Sequence, residues 1–364
     1  MKQIILAAAL AASISGALAS PILIGQTADL TSVAGQQMKE FNAGAALVFD
    51  QINKTGGING RQIKLVSKDD AFQAAQAKAN AEQLVKEGAV VLFGARGTDP
   101  AEAVLAVAEA SGVPLVAPVT GAETLRKSPM VFPVRASYEA ELDGMLRIIA
   151  EHSSTLAVLV QQDKFGKPLA EYIQKRLAAY PKLKLVAEVP FDRKQTDLAA
   201  EAAKILETRA FAVIALCNPT SCGNFASEVH KQAAAGRVGK PIVYQTSISD
   251  VYAQQKKIGA EALIGQPFSQ VLPDPNDITV KLSKDFQRAG GGSYRAFEGY
   301  TSALVLVEGL KRAKSLDPAG IRAGLESIGK LDLGGVTLIY QPSNHRGLDY
   351  VDQVLVSRSG RLIH

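Results

Sequence analysis

AVVLFGARGTDPAEAVLAVAEASGVPLVAPVTG, residues 89–121, holds an apolar run, a glycine-bearing loop, an alanine-rich stretch and a second apolar run. Residues 89–93 are short, continuous and uncharged, the pattern of a strand buried on both faces. Residues 100–110 read as a helix, with Pro100 in the first turn, where a missing N–H costs nothing. Residues 113–117 form the next strand. This βαβ rhythm predicts a parallel sheet covered by helices on both faces.

The rhythm extends in both directions. Upstream, a strand at 21–25 precedes a helix at 37–53, in which Met38, Phe41, Ala45, Val48 and Phe49 recur at helical spacing. A Gly/Asn turn at 56–60, a strand at 61–67 and an alanine-rich helix at 74–86, closed by Gly88, follow. Downstream the pattern restarts. Helices at 139–152, 167–179, 197–208 and 223–235 alternate with strands at 156–160, 184–189, 211–216 and 241–245. A helix at 302–314 and a final strand pair, 335–340 and 350–357, with a turn at 342–347 between them, complete the chain. The expected fold class is α/β, with two doubly wound domains and no low-complexity linker.

The 364 residues suit two domains of about 150 residues each. Net charge is +5, but lysines and arginines are scattered among acids without a cluster, which speaks for a solvated surface rather than a nucleic-acid face. Residues 1–19 read as a cleavable secretory leader: Lys2, an apolar run at 4–12, then Ala17-Leu18-Ala19 before the cut. The run is shorter than the ~20 residues that span a bilayer, and no later stretch is long and apolar enough. A free monomer in the periplasm is expected. An oxidising compartment permits a disulfide between the only two cysteines, Cys217 and Cys222; a free pair is the alternative. Metal ligation would need further soft or imidazole ligands, and none is expected.

Several segments together carry a family resemblance. Gly25 after the first strand, Phe49-Asp50-Gln51-Ile52-Asn53, Gly56-Gly57-Ile58-Asn59-Gly60-Arg61 and Asp69-Asp70 resemble the opening of periplasmic substrate-binding proteins of the branched-chain amino acid type. Gly94-Ala95-Arg96-Gly97-Thr98 and the segment from Val113 to Gly121 resemble that family's two ligand loops, and Asp163-Lys164-Phe165-Gly166 a loop facing its cleft. Residues 341–356 resemble its terminal hairpin. The resemblance implies a type I periplasmic binding fold: two Rossmann-like lobes joined by three crossings, near 136–138, 267–269 and 340–343. The lobes would comprise 20–137 with 268–340, and 138–267 with 341–364. It also implies a small-molecule ligand between the lobes and delivery to an ABC permease, with no cofactor.

In doubly wound sheets the ligand sits beyond the carboxyl ends of the strands. Thr98 opens a helix there and suits a ligand carboxylate, although Thr98 or Asp99 serving only as a cap is the plainer reading. Val119, Thr120 and Gly121 follow the next strand. Arg96 and Arg135 offer charge-assisted contacts, or else salt bridges. Phe165 would close over an apolar group, with loop packing as its alternative, while Asn218, Ser221, Thr246 and Ser247 would add polar contacts. No clear acid stands where the ammonium of an amino acid would need one; Asp163 and Asp250 are the nearest candidates. The ligand is therefore expected to be an amino acid or a related organic acid or amide.

Catalytic signatures are absent: no Gly-x-Ser-x-Gly, no P-loop, and Gly25-Gln26-Thr27-Ala28 where a dinucleotide loop would begin. The four histidines are scattered in the sequence. A ligand-sensing module beside a membrane receptor is the alternative to a carrier, and a hydrolase on a borrowed fold is a third reading.

Overall fold

Strand β1 (Ile22–Ala28) is an inner strand of the first sheet, and its residues are almost entirely buried. The structure, a computed structural model, describes residues 20–32, 35–236, 239–342 and 344–363; the leader read at 1–19 lies outside them. The chain continues through α1 (Gln36–Lys54), β2 (Ile63–Asp69), α2 (Ala74–Lys86), β3 (Val91–Phe93), α3 (Thr98–Ser111), β4 (Leu115–Val116), α4 (Glu123–Arg126) and β5 (Val131–Phe132). These strands form a parallel sheet in the order β2-β1-β3-β4-β5. One apolar core joins the sheet to α1, and another joins its opposite face to α2 and α3.

The second sheet repeats the plan. After α5 (Tyr138–His152) come β6 (Thr155–Gln161), α6 (Gly166–Arg176), β7 (Lys184–Phe191), α7 (Ala199–Glu207), β8 (Ala212–Leu216), α8 (Pro219–Gly236), β9 (Ile242–Gln245), α9 (Val251–Ile258) and β10 (Pro267–Gln270). Read from one side, the order β7-β6-β8-β9-β10 matches that of the first sheet. In each, the chain reverses direction across the sheet between the first and third strands, the switch point where α/β folds bind ligands.

The chain then returns to the first core. α10 (Lys281–Ala289), α11 (Tyr294–Arg312) and α12 (Pro318–Glu326) follow, then β11 (Gly329–Asp332), β12 (Thr337–Gln341) and β13 (Asn344–Leu348), which form a separate antiparallel sheet. β14 (Asp352–Val356) and β15 (Leu362–Ile363) extend the second sheet beyond β10. The chain is α/β, with two Rossmann-like domains joined by three crossings.

Expectations about the chain's last third are corrected. The strands read at 335–340 and 350–357 do not pair with each other: β12 lies between β11 and β13, while β14 pairs with β10 and β15. The presumed turn holds a strand, because the buried His345 stacks on Phe132 with ring centroids 4.0 Å apart and bonds the Val131 carbonyl through Nδ1 at 2.8 Å. The third passage between the sheets therefore falls at 349–351 rather than 340–343. Likewise, residues 267–270 belong to the second sheet, and the second passage follows them.

Candidate functional site

Beyond β3 the chain reads Gly94-Ala95-Arg96-Gly97 and enters α3 at Thr98. Gly97 has φ +83°, and a Cβ there would stand 2.4 Å from the Phe72 ring, so the position favours glycine on both counts. The residue before α3, Gly97, offers no side-chain cap, and Gly97, Thr98 and Asp99 at this positive helix end line the gap between the sheets.

Arg96 is 4 % exposed. Its Nη2 donates to Gln37 Oε1 at 2.8 Å, and Nη1 lies 3.6 Å from Asp29 Oδ2. Neither Nη1 nor Nε makes a hydrogen bond among the described residues. Burial pulls the guanidinium down to about 10, with Arg295 and Arg193 acting in the same direction and Asp29 opposing, so it remains cationic at neutral pH.

Phe72 comes from the loop after β2. It and Ala71 take left-handed backbone conformations, φ 60° and 48°, unusual for a bulky side chain. The Phe72 N–H donates to Asp70 Oδ1 at 2.8 Å, which holds this turn. The Arg193 guanidinium, from the equivalent loop after β7, lies 3.5 Å from the Phe72 ring centroid and 3.6 Å from Asp163 Oδ2. Burial lowers its pKa, against the pull of Asp163.

Phe72, Arg96 and Arg193 line a narrow cavity of about 40 Å³ between the two sheets. Tyr138 and Phe165, whose rings meet edge to face at 5.0 Å, and Ile248 form its apolar wall. Gln161, Asp163 and Asn218 form the polar floor, and they are bound mainly to one another and to their own loops. Gln161 Oε1 accepts from the Asn218 N–H and Nδ2, at 3.0 and 2.9 Å. Asn218 Oδ1 accepts from the N–H groups of Thr220 and Ser221, both at 3.1 Å. Asp163 Oδ1 accepts from the N–H groups of Phe165 and Gly166, at 2.9 and 3.0 Å, and Oδ2 accepts from Gln161 Nε2 at 2.5 Å.

Among the residues expected to bind ligand, Arg96, Thr98, Phe165 and Asn218 meet in this cavity. Thr120 lies directly behind, its hydroxyl 3.1 Å from that of Thr98. Val119 donates its N–H to Ala95 O at 2.8 Å, and the Gly121 carbonyl accepts from the Tyr138 N–H at 2.9 Å; both shape the backbone behind the wall. Ser221 sits in the first turn of α8, where its Oγ accepts from Asn218 Nδ2 at 3.0 Å. Thr246 is fully buried away from the cavity, and its Oγ1 has no partner among the described residues.

Arg135 and Ser247 lie in a separate buried network. Arg135 reaches Glu298 and Glu141, each at 3.4 Å, and also bonds Ser247 Oγ. Ser247 in turn donates to Glu141 from both N and Oγ, at 2.7 and 2.9 Å. Arg135 thus takes the salt-bridge reading left open above. Asp250 caps α9 and accepts from Gln37 Nε2 at 2.7 Å, outside the cavity. Cys217 and Cys222 are joined by a disulfide, with Cα atoms 5.3 Å apart, and Cys217 lines the cavity.

Phe72, Tyr138, Gln161, Arg193 and Ile248 were not singled out from the sequence. Phe72, Arg193 and Ile248 all follow strand ends, so carrying the carboxyl-end rule to the outer strands β2 and β7 would have found the first two.

Facing switch points, a cavity between them and a buried guanidinium in its wall fit a two-lobe small-molecule-binding protein. The chain belongs to the periplasmic binding protein family, whose pattern matches residues 21–359. It is a ligand-binding protein and not an enzyme. It is 26 % identical to a Leu/Ile/Val-binding protein of Rhizobium johnstonii over 329 residues, 86 % of this chain and 87 % of that one. A leucine-, isoleucine-, valine-, threonine- and alanine-binding protein of Pseudomonas aeruginosa is 28 % identical over 161 residues, a stretch covering 43 % of each chain. The crystal structure of a substrate-binding periplasmic protein from Ralstonia solanacearum superposes with a TM-score of 0.86 at 28 % identity, covering 94 % of this chain and 99 % of that one. No described helix is long and apolar enough to cross a membrane.

Proposed function

We propose that this protein captures a small carboxylate-bearing solute between its lobes in the periplasm and delivers it to an ABC importer. The observation that carries this reading is the buried, cationic Arg96, whose Nε makes no hydrogen bond among the described residues, beside the uncapped start of α3 in the cavity wall. A carboxylate seated there would satisfy donors that the protein leaves open. Thr98, Phe165 and Asn218 would complete the contacts, with Val119, Thr120 and Gly121 supporting them from behind. The secretory pattern of residues 1–19 and the binding role named for the relatives support export and transport. One lobe would comprise residues 20–134 with 272–348, the other 138–270 with 352–363, following strand pairing and core membership.

A thermal-shift screen of amino acids, organic acids and amides, followed by small-angle scattering, tests this. A cognate solute raises the melting temperature and compacts the particle. Arg96→Gln, in a variant whose circular dichroism confirms folding, has a lower unliganded melting temperature because Asp29 loses its ion pair, and it loses the solute-induced shift. A screen in which no small solute stabilises the protein or changes its shape overturns the reading.

A further inference from the structure

We propose that the cleft selects carboxylates that carry no α-ammonium, so that its cognate solutes are organic acids rather than amino acids. The inference rests on the carrier reading and narrows its ligand class.

An α-amino acid brings two opposite charges into the cavity, and each must be paired once water is excluded. The carboxylate has its partners at Arg96 and the start of α3. The ammonium meets only carboxylates that already have a cationic partner, Asp163 with Arg193 and Asp99 with Lys164. Every side-chain acceptor on the polar floor is engaged by a protein donor: Gln161 Oε1 by Asn218, Asn218 Oδ1 by Thr220 and Ser221, and both Asp163 oxygens by Gln161, Phe165 and Gly166. Arg193 sets a second guanidinium 3.6 Å from Asp163, so an ammonium would have to compete with it for that carboxylate. Asp99, the remaining acid of the lining, lies at the cavity's edge and is paired with Lys164 at 3.2 Å. Phe72, Tyr138, Phe165 and Ile248 make most of the remaining wall aromatic or aliphatic, and Thr98 adds one hydroxyl. Such a wall holds an apolar body and offers an ammonium no carboxylate.

Calorimetric titration with matched pairs that differ only in the α-ammonium tests this: leucine against 4-methylpentanoate, and phenylalanine against 3-phenylpropanoate. In whichever pair binds, the acid is expected to be tighter by about tenfold or more, the penalty of an unpaired buried charge. The neutral 3-phenylpropanamide should bind more weakly than its acid. Arg193→Gln frees Asp163 for an ammonium, so the acid-to-amino-acid ratio should fall in a variant whose melting temperature confirms folding. An amino acid that binds as tightly as its acid overturns the inference and leaves the carrier reading standing. So does an amide equal to its acid, or an unchanged ratio in folded Arg193→Gln. If neither these pairs nor any solute of the wider screen binds, both readings fail together.

Discussion

Asp70 is 1 % exposed at the end of β2, where it accepts from Thr27 Oγ1 at 3.1 Å and the Phe72 N–H at 2.8 Å. Burial pushes its carboxyl up to about 6; those two bonds pull the other way, and Asp29 and Asp69 add repulsion. A carboxyl whose folded pKa exceeds its unfolded value of about 3.9 stabilises the fold most below that unfolded value. The contribution is lost as pH rises through about 6. Asp70→Asn keeps an acceptor for Phe72 and removes the charge. Relative to wild type, the variant should gain about 1–3 kcal/mol between pH 4 and pH 7. Thermal melts of both proteins across that range measure the difference, and a gap that does not change with pH contradicts the account. The same turn shows a limit of reading single residues. Arg96 and Thr98 were legible because a glycine loop joins a buried strand to a helix. Phe72 was not, because nothing in Asp70-Ala71-Phe72 announces two consecutive left-handed residues without glycine.

Element boundaries followed local signals where those signals dominated. The helix read at 74–86 is α2 to the residue. α11 was read to begin at 302 and begins at Tyr294, because it is buried nearly all round and its periodicity is masked. It crosses α1 so closely that a Cβ at Gly299 would stand 1.9 Å from the Phe41 carbonyl oxygen. α8 likewise starts four residues before its expected start, at Pro219, with Asn218 Oδ1 accepting from the N–H groups of Thr220 and Ser221 as an N-cap. The Cys217–Cys222 disulfide ties the end of β8 to this first turn and so fixes Asn218 beside the cavity. A loop this short constrains the unfolded chain modestly, by about 2 kcal/mol. The double variant Cys217→Ser, Cys222→Ser should lose that much stability in urea unfolding and bind its solute more weakly. A loss below about 0.5 kcal/mol would mean that the Asn218 cap alone holds the turn.

At the scale of the molecule, the repeated strand order sets two switch points face to face, and equivalent loops meet across the gap: Phe72 after β2 lies under Arg193 after β7. The alternation of strands and helices made both sheets legible in the sequence. Their mutual placement was not, because it depends on contacts between residues far apart in the chain. One such contact is at the rim, where Lys164 after β6 reaches Glu102 at 2.8 Å and Asp99 at 3.2 Å, both on α3. It spans the two lobes, so separating them would break it, and it would favour a closed state without touching the solute. The lysine side chain is 59 % exposed, which caps its worth at about 1 kcal/mol or less, and salt screens it. Lys164→Ala should therefore weaken solute binding by roughly two- to fivefold at low ionic strength, chiefly through faster release, and should match wild type at high salt. Calorimetry gives the affinity and stopped-flow displacement the release rate. Equal release rates at low salt would mean that closure does not depend on this rim contact, leaving the Arg193–Phe72 stack and the Gln37–Asp250 bond to hold the lobes together.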